Sequence, residues 1–106
     1  MITIDDFKKL ELVVAQIKEV KEHPNADRLY VLKVDTGAEM RQVVAGIKKS
    51  YMPEQLIGRR VIMVKNLQPA VIRGEESSGM ILAASDENGT SILGIDRELP
   101  LGSIVK

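Results

Sequence analysis

The segment Leu12-Val13-Val14-Ala15-Gln16-Ile17-Lys18-Glu19-Val20 carries the clearest secondary-structure signal in this chain. β-branched residues fill much of it, and Val13, Ala15 and Ile17 recur at every second position. That period of two is typical of a strand with one face turned to a hydrophobic core. The segment therefore predicts one long β-strand, and we expect the fold to be built around it.

Four further strands are predicted outward from this segment, at 29–35, 41–45, 59–65 and 80–84. The turn-forming residues at 23–27 separate the first two strands. Pro53-Glu54-Gln55-Leu56 suits a single helical turn with proline at its first position. Five strands with a helical turn between the third and fourth match the order of a five-stranded OB-fold barrel, an all-β Greek-key architecture. A five-stranded antiparallel sheet of another topology remains open as an alternative.

Both ends of the chain are predicted to add to this barrel. Thr3 before two acidic residues favours a short N-terminal helix over about 4–10. Asn88-Gly89 is a strong hairpin signal, and residues 91–95 are expected to pair back across it. The last residues, 99–105, are expected to be extended, which gives a C-terminal hairpin extension.

Length and composition restrict the class of protein. The 106 residues are 44% hydrophobic and 28% charged, with one histidine and no cysteine, so we expect one globular domain over 1–106. The missing cysteines exclude disulfides, a thiol nucleophile and a thiolate zinc site. No apolar run approaches the roughly 20 residues that a membrane-spanning helix needs. We therefore expect a cytoplasmic protein with no metal, no cofactor and no membrane association.

The charges cancel over the whole chain but not along it. Fifteen basic and fifteen acidic residues give a net charge of zero. Residues 41–73 hold seven basic and one acidic residue, a net charge of +6, while 1–40 carry −2 and 74–106 carry −4. The middle segment is either a face for an anionic ligand or a set of cations that the fold scatters. Both interpretations remain open at this point.

Two features bear on catalysis and on nucleic-acid binding. His23 lies in a turn without the nucleophile or orienting partner that a general base needs, which favours a loop-capping role. No glycine-rich phosphate loop occurs, so we expect no enzymatic activity and no catalytic residue. The only aromatic residues are Phe7, Tyr30 and Tyr51, too few for a single-strand binder that relies on stacking. Structured RNA, held by shape and phosphate contacts, suits the basic middle segment better.

The segment Arg73-Gly74-Glu75-Glu76-Ser77-Ser78-Gly79 is a candidate ligand loop. Arginine offers a forked set of donors for phosphate, glycines allow close backbone approach, and serines add short hydroxyls. Asn66 precedes it at the end of the fourth strand. An ordinary flexible loop would have the same composition, and the residues alone do not decide between the two.

Six segments together resemble one family, the tRNA-binding domain found as a free-standing tRNA-binding protein and as the C-terminal domain of many methionyl-tRNA synthetases. They span nearly the whole chain and are Ile4-Asp5-Asp6-Phe7, His23-Pro24-Asn25-Ala26-Asp27-Arg28-Leu29-Tyr30, Arg41-Gln42-Val43-Val44-Ala45-Gly46, Pro53-Glu54-Gln55-Leu56, Asn66-Leu67-Gln68-Pro69 and Ser77-Ser78-Gly79-Met80. The resemblance implies an OB-fold, a homodimer, and binding to the outer corner of L-shaped tRNA. A methionyl-tRNA synthetase is the implied protein partner.

The same resemblance implies a set of tRNA-binding or site-framing residues: Arg41, Lys49, Asn66, Arg73, Ser77 and Met80. Lys65 and Val71 depart from the family pattern, because relatives often have a small apolar and a basic residue there. A related branch of the fold family acts as a dimeric chaperone that binds unfolded polypeptide, which is the alternative function. A domain that only docks a synthetase is a third possibility.

The C-terminal segment 86–106 is predicted to form the dimer interface. Seven aliphatic residues follow the fifth strand, namely Ile92, Leu93, Ile95, Leu99, Leu101, Ile104 and Val105. A small five-stranded barrel has little interior space left for them, and exposed together they would form an apolar patch that monomers avoid. A twofold interface would cover such a patch with its own copy.

Overall fold

The computed structural model describes all 106 residues and contains two short helices and ten strands. In chain order these elements are α1 (Ile4–Phe7), β1 (Leu12–Glu22), β2 (Tyr30–Asp35), β3 (Met40–Ala45), α2 (Pro53–Leu56), β4 (Arg60–Val64), β5 (Ala70–Ile72), β6 (Glu75–Ser77), β7 (Met80–Ile81), β8 (Ala83–Asp86), β9 (Gly89–Ile92) and β10 (Ile104–Val105).

The main sheet has the antiparallel order β3-β2-β1-β4-β7. β1 is long enough to serve two neighbours: its first half pairs with β4, from Leu12 opposite Val64 to Gln16 opposite Arg60, and its second half pairs with β2. The register shifts between Ile17 and Glu19, and such an irregularity bends and twists a strand. The bend lets β1 curve around the barrel.

The barrel closes where β3 meets residues 76–78. The Ser78 N–H donates to the Gln42 carbonyl at 2.8 Å, and the Gln42 side chain donates to the Glu76 carbonyl at 2.9 Å. Beside them the Val44 N–H donates to the Ser77 hydroxyl at 3.0 Å. The predicted all-β architecture, a five-stranded OB-type barrel with additions at both ends, is confirmed.

Both faces of the first half of β1 are buried. Val13, Ala15 and Ile17 point into a barrel core of 14 buried residues, as the alternation predicted. Leu12 and Val14 belong to a second, outer cluster with Ile62 and Val64 of β4. The outer cluster is covered by Phe7, Leu82, Ile95, Leu101 and Val105, so both chain ends pack on the outside of the barrel.

Two predicted elements differ in the structure. The predicted strand 80–84 is divided, because β7 pairs with β4 whereas β8 pairs with β9. Between β4 and β7, where the sequence predicted no strand, the structure contains a hairpin formed by β5 and β6. Its two-residue turn is Arg73-Gly74, with φ of 50° and 91°. Positive φ at both central residues suits hairpin turns that usually begin with Asn, Asp or Gly, which explains why the sequence did not reveal it.

More of the C-terminal aliphatic side chains pack against the barrel of their own chain than the sequence predicted. Of the seven aliphatics, Ile92 lies in the barrel core, and Ile95, Leu101 and Val105 pack on the outer cluster. Leu93, Leu99 and Ile104 remain 42%, 46% and 78% exposed. The space argument for a dimer interface therefore applies to three side chains rather than seven. The assignment of 86–106 to dimerisation stays a prediction.

Candidate nucleic-acid interface

Two connections meet on one side of the barrel: the β1–β2 turn (residues 23–29) and the β5–β6 hairpin (residues 70–77). The His23 ring joins them. Its Nε2 is 2.9 Å from the Ile72 carbonyl, and its Nδ1 accepts from the Asn25 N–H at 2.9 Å. Because Nδ1 accepts, the neutral ring carries its proton on Nε2 and donates it to Ile72. His23 is 5% exposed with both nitrogens occupied, so it caps a loop and is not placed as a base.

Arg73 lies at the tip of the β5–β6 hairpin and forms two hydrogen bonds with Asn25 of the β1–β2 turn, one as donor and one as acceptor. Its Nη1 donates to the Asn25 carbonyl at 3.2 Å, and the Asn25 side chain donates to the Arg73 carbonyl at 3.3 Å. A non-glycine residue with φ of 50° costs on the order of 1–3 kcal/mol. The chain therefore presents an exposed arginine where a smaller residue would fit the turn better.

Arg28 borders two neighbouring surface grooves, one shared with Arg73 and the other shared with Lys49. Arg28 and Arg73 line one shallow groove with Asp27, and Arg28 and Lys49 line the adjoining one. All three cations are exposed and none lies within ion-pair distance of a carboxylate. We call Arg73, Arg28 and Lys49 the basic row. Asp86 and Glu87 border its Lys49 end, which limits the positive field there.

The base of the β5–β6 hairpin is fixed by three polar side chains. Arg41 Nη1 donates to the Lys65 carbonyl at 2.8 Å and reaches the Ser78 carbonyl at 3.5 Å, so it joins both ends of the β4–β7 connection. Asn66 accepts from the Glu11 N–H at 2.9 Å and donates to the Lys9 carbonyl at 2.8 Å. Ser77 is 6% exposed and also donates to the Gly79 carbonyl at 3.1 Å.

The positive charge of 41–73 is largely neutralised in three dimensions. Four of its seven cations pair with carboxylates from outside the segment: Arg41 with Glu39, Lys48 with Glu22, Arg60 with Glu98 and Lys65 with Glu11, at 2.7, 2.7, 2.9 and 3.8 Å. The hydrogen bond that Lys48 donates to the Glu22 carboxylate raises the pKa of Lys48. Lys49, Arg59 and Arg73 remain without a carboxylate partner. The fold thus scatters most of the charge and leaves a short basic row.

The six predicted site residues therefore separate into two groups. Arg41, Asn66 and Ser77 use their side chains to hold backbone, which suits a framing role. Lys49 and Arg73 are exposed and linked through Arg28, and Met80 is 46% exposed on β7 opposite Val64. RNA contact by each remains a prediction. Sequence reasoning missed Arg28 and Asn25, although both lie in the 23–30 motif on which the resemblance rests.

The three aromatic side chains are engaged within the fold. Phe7 packs on the outer cluster, and Tyr30 is 3% exposed. The Tyr30 hydroxyl donates to the Tyr51 carbonyl at 2.7 Å, and the Tyr51 hydroxyl accepts from the Ile92 N–H at 3.0 Å. No aromatic ring is thus left as a free stacking platform. No group of three or more His, Asp or Glu side chains is arranged to hold a metal ion, and neither helix could cross a membrane.

Comparison with known proteins identifies a family and several relatives of this chain. A family model described as "Putative tRNA binding domain" matches residues 12–104. The chain is 51% identical over 105 residues to the methionine–tRNA ligase of Thermococcus kodakarensis, covering 99% of this chain and 14% of the ligase. For the ligase of Halalkalibacterium halodurans the identity is 50%, over 99% of this chain and 16% of the ligase. The chain thus spans about one seventh of the curated relatives it matches.

Solved structures of similar proteins cover the chain from end to end. The MetRS-related protein from Pyrococcus horikoshii gives a TM-score of 0.92 at 34% identity, covering 100% of this chain and 98% of that one. The chaperone CsaA from Bacillus anthracis gives 0.90 at 30% identity, covering 100% and 99%. With the family model matching most of the sequence, the chain belongs to the tRNA-binding domain family.

Proposed function

We propose that this chain is a cytoplasmic tRNA-binding module without catalysis of its own, which recognises the outer corner of folded tRNA by shape and phosphate contacts. The observation that carries the proposal is the basic row. All three are exposed and lack carboxylate partners; Arg28 lies in the first turn of the barrel and Arg73 in the β4–β7 connection, while Lys49 lies in the neighbouring β3–α2 loop. Those two connections form the face where OB barrels bind oligonucleotides.

The state of the aromatic side chains supports the mode of recognition. Sequence-tolerant single-strand binders depend on aromatic stacking, and here Phe7, Tyr30 and Tyr51 are committed to packing or hydrogen bonds. Folded RNA presents phosphates and 2′-hydroxyls in a fixed shape that needs no ring stack. The exposed Met80 beside the buried Gly79 offers a small apolar surface for a terminal base pair of the corner.

The proposal is tested by competition binding. Labelled tRNA is titrated with the protein, and unlabelled single-stranded and double-stranded RNA of equal length compete. We expect intact tRNA to compete best, and a tRNA whose D and T loops are altered so that the corner cannot form to lose most of that advantage. Equal competition by single-stranded RNA would contradict recognition of shape.

Arg73→Asn separates binding from folding. Asparagine suits the positive φ of this turn, so the variant should be at least as stable as the parent. Loss of the guanidinium should cost about 1.5–3 kcal/mol of tRNA binding if it makes a charge-assisted hydrogen bond. Arg97→Asn is the matched control, because Arg97 is 88% exposed and lines a different groove with Arg59 and Glu98. Equal affinity of both variants would remove Arg73 from the interface.

We further propose that the module supports a methionyl-tRNA synthetase or acts free-standing. The support is the 51% identity to the ligase of Thermococcus kodakarensis, in which the matching region is 14% of the length. The module adds tRNA affinity, so joining it to a synthetase body should lower the KM for tRNA and leave kcat nearly unchanged. An equal KM with and without the module would contradict this role.

A homodimer is part of the proposal. Leu93, Leu99 and Ile104 are exposed on the C-terminal segment, and a twofold interface would cover them. Two basic rows on one rigid body would then engage one tRNA and gain from effective concentration.

The alternative function is binding of unfolded polypeptide. It is favoured by the match to the chaperone CsaA, at a TM-score of 0.90, and by a groove lined by Val20, Val31 and Ile57 together with three lysines. The assay is suppression of aggregation of a denatured client protein, with and without excess tRNA. Suppression that Ile57→Ser abolishes, while tRNA binding is unchanged, would favour this alternative.

A further inference from the structure

We infer that His23 is a positioning residue for tRNA binding: its neutral ring sets where the β5–β6 hairpin lies against the β1–β2 turn, and thereby where Arg73 points. The inference rests on the proposed function. His23 itself is 5% exposed and both of its ring nitrogens are occupied. It can therefore affect a ligand only through the groups it holds.

The β5–β6 hairpin needs external support. Each of its strands has three residues, and an isolated two-stranded hairpin is marginally stable at best. At its base, β6 is held to β3 through Glu76 and Ser77. Nearer the tip, Glu75 lies 3.6 Å from Lys21 of β1. At its tip, the polar contacts to the turn are those of Ile72 and Arg73 with His23 and Asn25.

The tip contacts form one continuous network. The Nε2–H of His23 holds the carbonyl of Ile72, the residue just before Arg73. Its Nδ1 holds the N–H of Asn25, whose side chain and carbonyl then bond to Arg73. One buried ring thus fixes both the residue before Arg73 and the residue across from it. Such fixing lowers the cost of ordering the arginine when it binds.

Two conservative substitutions of His23 each keep one of the two hydrogen bonds of the ring and remove the other. His23→Asn keeps an oxygen near the Nδ1 position, able to accept from the N–H two residues on as in an Asx turn, but it is too short for Ile72. His23→Gln places an amide N–H near the Nε2 position and keeps the bond to Ile72. If His23 acts by holding the hairpin, Gln preserves tRNA affinity and Asn does not. If it only shapes its own turn, the order is reversed.

The expected loss for His23→Asn is about 3–10-fold in tRNA affinity, as for one weakened hydrogen bond. The loss should disappear in the Arg73→Asn background, because the ring acts through Arg73. Losses that add independently in the double variant would overturn the inference. Wild-type affinity of Arg73→Asn alone would instead contradict the proposed function, so the two failures are distinguishable.

A measurement without RNA tests the same inference. Amide hydrogen exchange of Ile72 and Glu75, the pair that closes the two-residue turn of the hairpin, should be faster in His23→Asn than in His23→Gln. Exchange of the barrel amides of Leu32 and Val43 should be equal in the two variants, which also shows that both are folded. Equal hairpin protection in both variants, or uniform loss of protection throughout the barrel, would overturn the positioning role.

Discussion

The hydroxyl of Ser77 takes the place of a backbone acceptor for Val44. The Val44 N–H donates to it at 3.0 Å, and the hydroxyl proton goes on to the Gly79 carbonyl at 3.1 Å. The contact lies in the seam that closes the barrel, where Ser77 is 6% exposed. A residue singled out as a candidate RNA contact therefore completes the hydrogen bonding of β3.

Ser77→Ala should destabilise the fold more than it weakens binding. The Val44 N–H would be left buried without a partner, which costs about 1–3 kcal/mol. Denaturant unfolding measures the loss, with Ser78→Ala as control, since the Ser78 hydroxyl makes only a 3.5 Å contact with Glu76. A variant of unchanged stability that binds tRNA poorly would show that the hydroxyl contacts RNA directly.

Gly79→Ala should be more damaging than Gly58→Ala. Both glycines have positive φ, 119° and 88°, so each substitution carries backbone strain of about 1 kcal/mol or more. A Cβ at Gly79 would also lie 2.9 Å from the Val64 carbonyl oxygen and close against the Met63 side chain, whereas nothing lies within 4 Å at Gly58. Thermal unfolding of the two variants gives the comparison, and equal losses would show that Met63 and Val64 shift to accommodate the methyl group.

The salt dependence of tRNA binding should reflect the basic row rather than the whole middle segment. Arg28→Ala removes an unpaired cation and should reduce the log–log salt slope by about 1. Arg60→Ala, which removes a cation paired with Glu98 at 2.9 Å, should leave the slope unchanged. Binding titrations across a range of salt concentrations measure both. Similar changes in the two variants would mean that the ion pairs open on binding.

Ile104 and Ile92 should separate assembly from folding. Ile104→Lys places charge on a side chain that is 78% exposed and should convert the proposed dimer to a monomer that is still folded. Ile92→Ala empties part of the barrel core and should cost about 2–5 kcal/mol of stability. Analytical ultracentrifugation and circular dichroism report the two effects. A parent chain that sediments as a monomer at micromolar concentration would contradict the dimer.

Stability should depend on pH through the start of α1. The backbone N–H of Thr3, and secondarily its side chain, lower the pKa of Asp6 below its usual 3.8. A lowered folded-state pKa contributes stability above the unfolded pKa, and that contribution is lost as the pH falls through the folded value. Asp6→Ala should therefore be less stable than the parent at neutral pH. The difference should shrink below pH 3.8, and one that grows on acidification would contradict this.

The sequence predicted the barrel because its signals are local. The alternation of Val13, Ala15 and Ile17 identified core positions directly, and proline at position 53 marked α2. The β5–β6 hairpin escaped prediction because Arg73 occupies a turn position where pattern rules expect Asn or Gly. The outer cluster escaped it because Leu12 and Val14 are buried only by distant parts of the chain.

The sequence identified side chains whose chemistry suits RNA binding, but not the contacts that those side chains make in the fold. Asn66 and Ser77 have side chains suited to RNA, yet their partners are Glu11, Lys9, Val44 and Gly79. The charge segregation along the chain left both a basic face and scattered cations open, and in the fold Lys48 and Arg60 pair with carboxylates 26 and 38 positions away. Such pairings depend on tertiary proximity, which composition and spacing do not record.

The pairing of β10 with β1 determines when this fold can be completed. Leu12 lies opposite Val105, and the Val14 N–H donates to the Ser103 carbonyl at 2.9 Å. The first strand therefore gains its last neighbour only from residues synthesised at the other end of the chain. Until they leave the ribosome, the outer face of β1 exposes Leu12 and Val14 along an unpaired edge, a surface prone to aggregation. Non-local pairing of this kind makes folding slow, on the order of milliseconds to seconds.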